Sequence, residues 1–125
     1  MPPDATGTEL LQSYMDAFNT NDLDRAASFY ADDIVFEHFG HRRVEGKEKV
    51  EEVLRSMSAA FPDRRYEEVR EIFGVGDKVA LEYLFVGTCE EAVEGVEPGE
   101  QVRVEACGIF TFSDGRITRI HDYSA

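Results

Sequence analysis

Apolar side chains recur at helical spacing in the first half of this chain and at every second position in the rest. Leu11, Tyr14, Met15 and Phe18 form a stripe behind Thr8, whose hydroxyl suits an N-cap, and predict a first helix after a loose start from Met1 to Gly7. Asn21 and Asp22 break the stripe, and Leu23, Ala26, Ala27 and Tyr30 resume it on a second, shorter helix, so that the two make a tight corner. Ile34 to His38 reads as a strand with Ile34, Phe36 and His38 on one face and Val35 and Glu37 on the other. A polar, basic loop from His41 to Glu45 leads to a third amphipathic helix, traced by Val50, Val53, Leu54, Met57 and Phe61, which stops before Pro62 because proline disfavours helical backbone in the residue ahead of it.

From Arg65 the period changes to two. Tyr66 to Phe73, a turn at Gly74 to Asp77, and Val79, Leu81, Tyr83 and Phe85 alternating with Ala80, Glu82, Leu84 and Val86 predict a long hairpin. Glu90 to Glu100 is acidic and carries Gly and Pro, a solvated loop that could form a lip over a pocket. Val102, Val104, Ala106, Gly108, Phe110 and Phe112 then alternate with Arg103, Glu105, Cys107, Ile109 and Thr111, and Asp114-Gly115 signals a tight turn into a last strand from Arg116 to Tyr123. Helices first and four consecutive antiparallel strands afterwards predict one α+β domain over residues 1–125. Its expected shape is a cone-like roll, with three N-terminal helices packed on the concave face of a strongly curved, mostly antiparallel sheet.

In the last strand Asp122 falls two positions after Ile120, so its carboxylate is expected on the face shared by Ile120 and Thr118. A carboxylate turned into an apolar interior costs several kcal/mol or takes up a proton, which makes it a candidate for chemistry. The inward faces converge on Tyr14, His38, Tyr83 and Asp122, set among Phe18, Phe36, Leu81, Phe85, Phe110 and Ile120. A mainly apolar wall with a few polar groups suits a small hydrophobic molecule carrying one or two oxygens. The plain alternative for Asp122 is a solvated strand-end carboxylate paired with Arg119 or an arginine of the His41 to Arg43 loop; for His38 it is a histidine bonded to a neighbour, and for Tyr14 a core tyrosine. His38 and His41 lie three apart on strand-like chain and point to opposite faces, so no metal site is expected.

With 26 acidic against 13 basic side chains in 125 residues, the formal charge of −13 repels nucleic acid and anionic membranes. No basic start precedes an apolar stretch, no run of 18 apolar residues occurs, and Cys89 and Cys107 stand singly, which predicts a cytoplasmic protein with free thiols. Leu84, Val86 and Ile109 on the outer sheet face predict a homodimer through the sheet.

Several segments carry a family resemblance: Ser13-Tyr14 through Asn19, Asp22-Leu23-Asp24, Tyr30-Ala31-Asp32-Asp33, Ala60-Phe61-Pro62-Asp63, and Phe112 to Ile117 leading to His121-Asp122-Tyr123. Over nearly its whole length the chain resembles the nuclear transport factor 2-like superfamily, and within it the SnoaL-like polyketide cyclases, the limonene epoxide hydrolases and the ketosteroid isomerases. The resemblance places Asp122 where the hydrolases and cyclases carry a catalytic aspartate, Tyr14 where the isomerases carry an oxyanion-binding tyrosine, and His38 where they carry their aspartate base. Gly108 stands where the isomerases have a second, acidic oxyanion donor, and Tyr83 and Phe85 where the hydrolases have an arginine and an aspartate. The resemblance therefore implies a cofactor-free enzyme that moves protons on a hydrophobic carbonyl compound through Asp122, His38 and Tyr14. A non-catalytic binding or scaffold module is the alternative, and epoxide hydrolysis is disfavoured.

Overall fold

Thr6 starts the first helix. The computed structural model describes residues 6–38, 42–93 and 95–124. Helix α1 (Gly7–Asn19) opens on a capping box: the Glu9 backbone N–H donates to the Thr6 hydroxyl at 3.2 Å and the Thr6 N–H donates to the Glu9 carboxylate at 3.3 Å. The N-cap is thus two residues ahead of Thr8, because only Thr6 has a glutamate three positions on to return the bond. Helix α2 (Leu23–Ala27) is shorter than its stripe suggested, and Tyr30 opens strand β1 (Tyr30–His38). The segment expected as a basic loop forms strand β2 (Arg42–Glu45), antiparallel to β1, while His41 lies outside the described residues. Helix α3 (Lys47–Ala60) follows and ends before Pro62 as expected.

The chain then runs up and down through β3 (Arg65–Val75), β4 (Lys78–Thr88), β5 (Gln101–Ser113) and β6 (Arg116–Ser124). The first hairpin turns on Gly76-Asp77, tighter than Gly74 to Asp77, with Gly76 at φ +62°. Asp114 and Gly115 take φ of 53° and 77°, the left-handed pair that this turn demands. The sheet is open, in the order β2-β1-β6-β5-β4-β3. The four consecutive antiparallel strands are β3 to β6; β1 lies parallel to β6, so the long connection through α3 carries the chain across the concave face.

The three helices close this face. Leu11 and Phe18 of α1 and Val50 and Leu54 of α3 pack into one buried cluster with Ile34, Leu81, Phe110, Ile117 and Ile120 of the sheet. Simple alternation fails at one place in β6. A register shift between Thr111 and Phe112 puts Ile117, fully buried, into the core where parity from Asp122 predicted Thr118, whose hydroxyl instead donates to the Thr111 carbonyl. The outer face also differs from expectation: Leu84 and Val86 are buried within the single chain, and among the described residues the large apolar side chains it exposes are Phe73, Val75 and Tyr123.

If the bulge rather than strict alternation sets the core, Ile117→Ala should lower the unfolding free energy by about 2–5 kcal/mol and Thr118→Ala by about 1 kcal/mol or less. Urea titrations of the two variants compare them directly, and equal losses would contradict the register.

Candidate functional site

Two connected chambers lie between the helices and the concave face. The inner one, of about 70 Å³, is bounded by Tyr14 and Phe18 of α1, Tyr30 and Phe36 of β1, Val50, Val53, Leu54 and Met57 of α3, Tyr66, Tyr83, Phe85, Phe110, Ile120 and Asp122. The outer one, of about 240 Å³, is bounded by Phe36, His38, Arg42, Val53, Met57, Tyr83, Phe85, Val104, Ala106, Asp122 and Ser124. Phe36, Val53, Met57, Tyr83, Phe85 and Asp122 line both, so they form the collar between them, and Asp122 carries the collar's negative charge.

Strand pairing explains who meets whom. On β6, Asp122 lies beside Gly108 of β5 on one side and beside His38 of β1 on the other. Arg119, three residues earlier, falls on the opposite face and pairs with Glu37 at 3.6 Å, leaving the Tyr83 hydroxyl, at 3.4 Å, to donate to the Asp122 carboxylate. The residue keeps some accessible surface, but burial dominates its carboxyl and pushes it up to about 7, with the Tyr83 hydrogen bond acting weakly the other way. His38 takes part in the outer chamber only, where its Nε2 and the Ser124 hydroxyl lie 2.6 Å apart.

At the inner end the Tyr14 and Tyr30 hydroxyls share a 2.7 Å hydrogen bond that either can donate. Burial first, then the neighbouring phenols Tyr30 and Tyr66, holds Tyr14 well above the ordinary range; burial raises Tyr30 to about 12, moderated by the bond it shares with Tyr14 and by Arg64. Tyr66 and Tyr83 are likewise raised by burial and then by the Asp122 charge. All four phenols therefore stay protonated near neutrality, each with a proton to give. Arg64 is 1 % exposed, lies 4.4 Å over the Phe18 ring and donates through Nη1 to Asn21 Oδ1 at 2.9 Å. Burial lowers its pKa and the phenols Tyr14, Tyr66 and Tyr30 raise it, so a buried cation stands behind the aromatic floor.

Of the residues singled out from sequence, Tyr14, Phe18, Phe36, Tyr83, Phe85, Phe110, Ile120 and Asp122 bound the inner chamber, and His38 the outer. Leu81 does not line either chamber; it is fully buried in the core behind them. No described residue of the acidic loop between β4 and β5 borders either chamber. Sequence reading missed Tyr30, by extending a helix over it, and Tyr66, whose strand alternation is interrupted by register shifts after Tyr66 and Val69. It missed Arg42 because a four-residue edge strand looks like a polar loop. Among the described residues no group of three His, Cys, Asp or Glu side chains is placed to hold a metal ion, and no helix is long and apolar enough to cross a membrane.

A family model for the SnoaL-like domain matches residues 11–120. The chain belongs to the SnoaL-like family. Its architecture is the cone of the nuclear transport factor 2-like superfamily, shared with a Pseudomonas putida KT2440 protein named as a candidate polyketide cyclase, at 23 % identity and a TM-score of 0.86 over 95 % of this chain and 91 % of that one. An epoxide hydrolase of Mycobacterium tuberculosis, of the limonene epoxide hydrolase-like kind, is 25 % identical with a TM-score of 0.75 over 93 % of this chain and 80 % of that one. A second candidate polyketide cyclase, from Xanthomonas campestris, is 26 % identical with a TM-score of 0.77 over 93 % and 87 %. Comparison with curated proteins finds no match.

Burial gives this SnoaL-like chain a pH signature. With the Asp122 carboxyl raised from 3.8 to about 7, the folded state holds a proton that the unfolded state has released, so this group's contribution to stability falls as pH rises between those values. Asp122→Asn stays neutral. Urea unfolding across about pH 4 to 8 should show the variant gaining on the wild type as pH rises, by on the order of 3–4 kcal/mol, and parallel curves would mean the carboxylate is solvated.

Proposed function

We propose that the chain is a cofactor-free acid/base enzyme acting on a hydrophobic carbonyl compound, of the cyclase or isomerase type. The observation that carries this reading is the Asp122 carboxyl, raised to about 7, in the collar of a cone whose inner end presents a bonded pair of phenols. A group that titrates near neutrality can both take and return a proton at working pH. If Tyr30 donates to the Tyr14 oxygen, the Tyr14 proton is left for a ligand oxygen, since a phenol has one proton to give.

In this mechanism the ligand carbonyl points at Tyr14 and its α-carbon lies at the collar. Asp122 removes the α-proton, the C–H electron pair forms the enolate C=C bond, and the carbonyl oxygen gains charge that the phenol stabilises. For isomerisation, Asp122 returns the proton to a conjugated carbon. For ring closure, the enolate carbon bonds to a second carbonyl of the same molecule, and the new alkoxide takes the proton from Asp122. His38, held by Ser124 at the outer chamber, orients the ligand or serves as a second acid/base. Apolar walls exclude water that would quench the enolate.

Tyr83 and Phe85 stand at the collar where the resemblance to the hydrolases would put an arginine and an aspartate, so the reading does not extend to epoxide hydrolysis. One observation favours a second reading: the inner chamber, at about 70 Å³, is filled largely by the protein's own aromatic rings, as in a passive binding module. Association of two copies through the outer sheet face belongs to both readings, now carried by the exposed Phe73, Val75 and Tyr123; sedimentation at micromolar concentration should give a dimer, and a monomer would contradict it.

Exchange of carbon-bound hydrogen separates enzyme from binder. Incubated in heavy water with a panel of polycyclic ketones and β-keto esters, the protein should catalyse α-deuteration of at least one, read by mass spectrometry. Asp122→Asn should slow it by about 10²–10⁴-fold, and Tyr14→Phe should slow it as well. If ligands bind without exchange, and affinity is flat with pH and unaffected by His38→Ala, the passive module is the correct reading.

A further inference from the structure

Gly108 sits in the middle of β5 with strands paired on both sides, a position where glycine weakens a sheet through its backbone entropy and lack of packing. Its φ is not in the left-handed region, so the backbone does not require glycine there. Space does. A Cβ built on Gly108 would lie 2.7 Å from Asp122 Oδ1 and 3.0 Å from Phe110 Cε1, the first closer than real side chains approach and the second tighter than nearly all of them. Phe110 is itself 1 % exposed and has little room to retreat.

We propose that Gly108 is a positioning residue: by lacking a side chain it leaves a seat on β5 in which the Asp122 carboxylate lies, at the collar between the two chambers. Gly108 and Asp122 are direct cross-strand partners, and one carboxylate oxygen leans over the neighbouring strand while the residue lines the collar. Any side chain at position 108 pushes it off β5, toward the more open outer chamber lined by His38, Arg42 and Ser124. Seating also explains the burial of the carboxylate, since the side against β5 is closed by backbone and by the Phe110 ring. The titratable and charged groups around it are Tyr14 on α1, Tyr30 and His38 on β1, Arg42 on β2, Tyr66 on β3 and Tyr83 on β4. Its consequence for catalysis rests on the proton-transfer role of Asp122 proposed above, but the seat itself does not.

The test uses Gly108→Ala in the wild-type and Asp122→Ala backgrounds. Urea midpoints should fall clearly more in the wild type than in Asp122→Ala, where the 2.7 Å conflict is gone and only the Phe110 contact is left. Carbon-detected NMR titration of the Asp122 carboxyl in Gly108→Ala should drop by about one pH unit or more toward the ordinary carboxylate range, and the same displacement should appear in the acid limb of the exchange rate. Equal stability losses in the two backgrounds, or an unmoved titration, overturn the seat. If Gly108→Ala alone does not fold, recovery of folding in Gly108→Ala/Asp122→Ala supports the seat, and failure of the double variant overturns it. Because stability and titration need no turnover, the seat can stand where the enzymatic reading fails, and the reverse outcome is equally visible.

Discussion

A single carboxylate held against apolar walls sets the terms for the rest of the cone. Water would stabilise the charged form of Asp122 far better than the Tyr83 hydroxyl at 3.4 Å, and the carboxyl answers by titrating near neutrality. The fold bears this because the carboxylate is confined from several directions: Gly108 leaves it room on one side, the aromatic collar excludes solvent on another, and its ladder neighbour on β1 is a histidine, not an arginine that would hold it ionised.

Sheet topology decides which polar groups share that space. With β1 parallel to β6, Phe36 is beside Ile120 and His38 beside Asp122, whereas Glu37 is carried to the outer face, where it gathers Arg43 and Arg119. One strand pairing thus sorts opposite charges onto the convex side and keeps the concave side short of cations. The exceptions are Arg42, which borders the outer chamber, and Arg64, whose guanidinium is buried under Phe18 and anchored by Asn21, which Ser58 also bonds. Arg64 lies close enough to the inner phenols to lower Tyr30 against the rise that burial causes. The cone is therefore polarised, with donors and a buried cation toward its floor and a carboxylate at its waist, the arrangement from which the proposed proton transfer is argued.

Patterns that depend on neighbours along the chain were readable in advance. The stripe Val50, Val53, Leu54 and Met57 is a helix because its period is 3.6, and Asp114-Gly115 is a hairpin because both residues accept positive φ. Inward-facing Tyr83, Phe85, Phe110 and Asp122 followed from counting by two along unbroken stretches. Counting failed where a bulge inserted a residue, which is how Ile117 replaced Thr118 in the core and how Tyr66 escaped notice. Leu84 and Val86 looked like an open face because alternation says which side a residue takes and nothing of what covers it.

By itself the sequence determined the order and type of nearly every element, the α+β class and the face on which Asp122 lies, since these follow from local periodicity and turn chemistry, while its motifs carried the resemblance to the family. Only the tertiary structure decided that β1 runs beside β6, that Tyr14 meets Tyr30, that Arg64 is buried behind the floor and that Gly108 makes room for a carboxylate. Those are contacts between residues from 14 to 87 positions apart, and no pattern along a chain encodes the distance between two atoms that meet across a sheet. The seat for Asp122 is the clearest case: in the sequence Gly108 reads as a missing functional group, and in space it is the gap that a functional group fills.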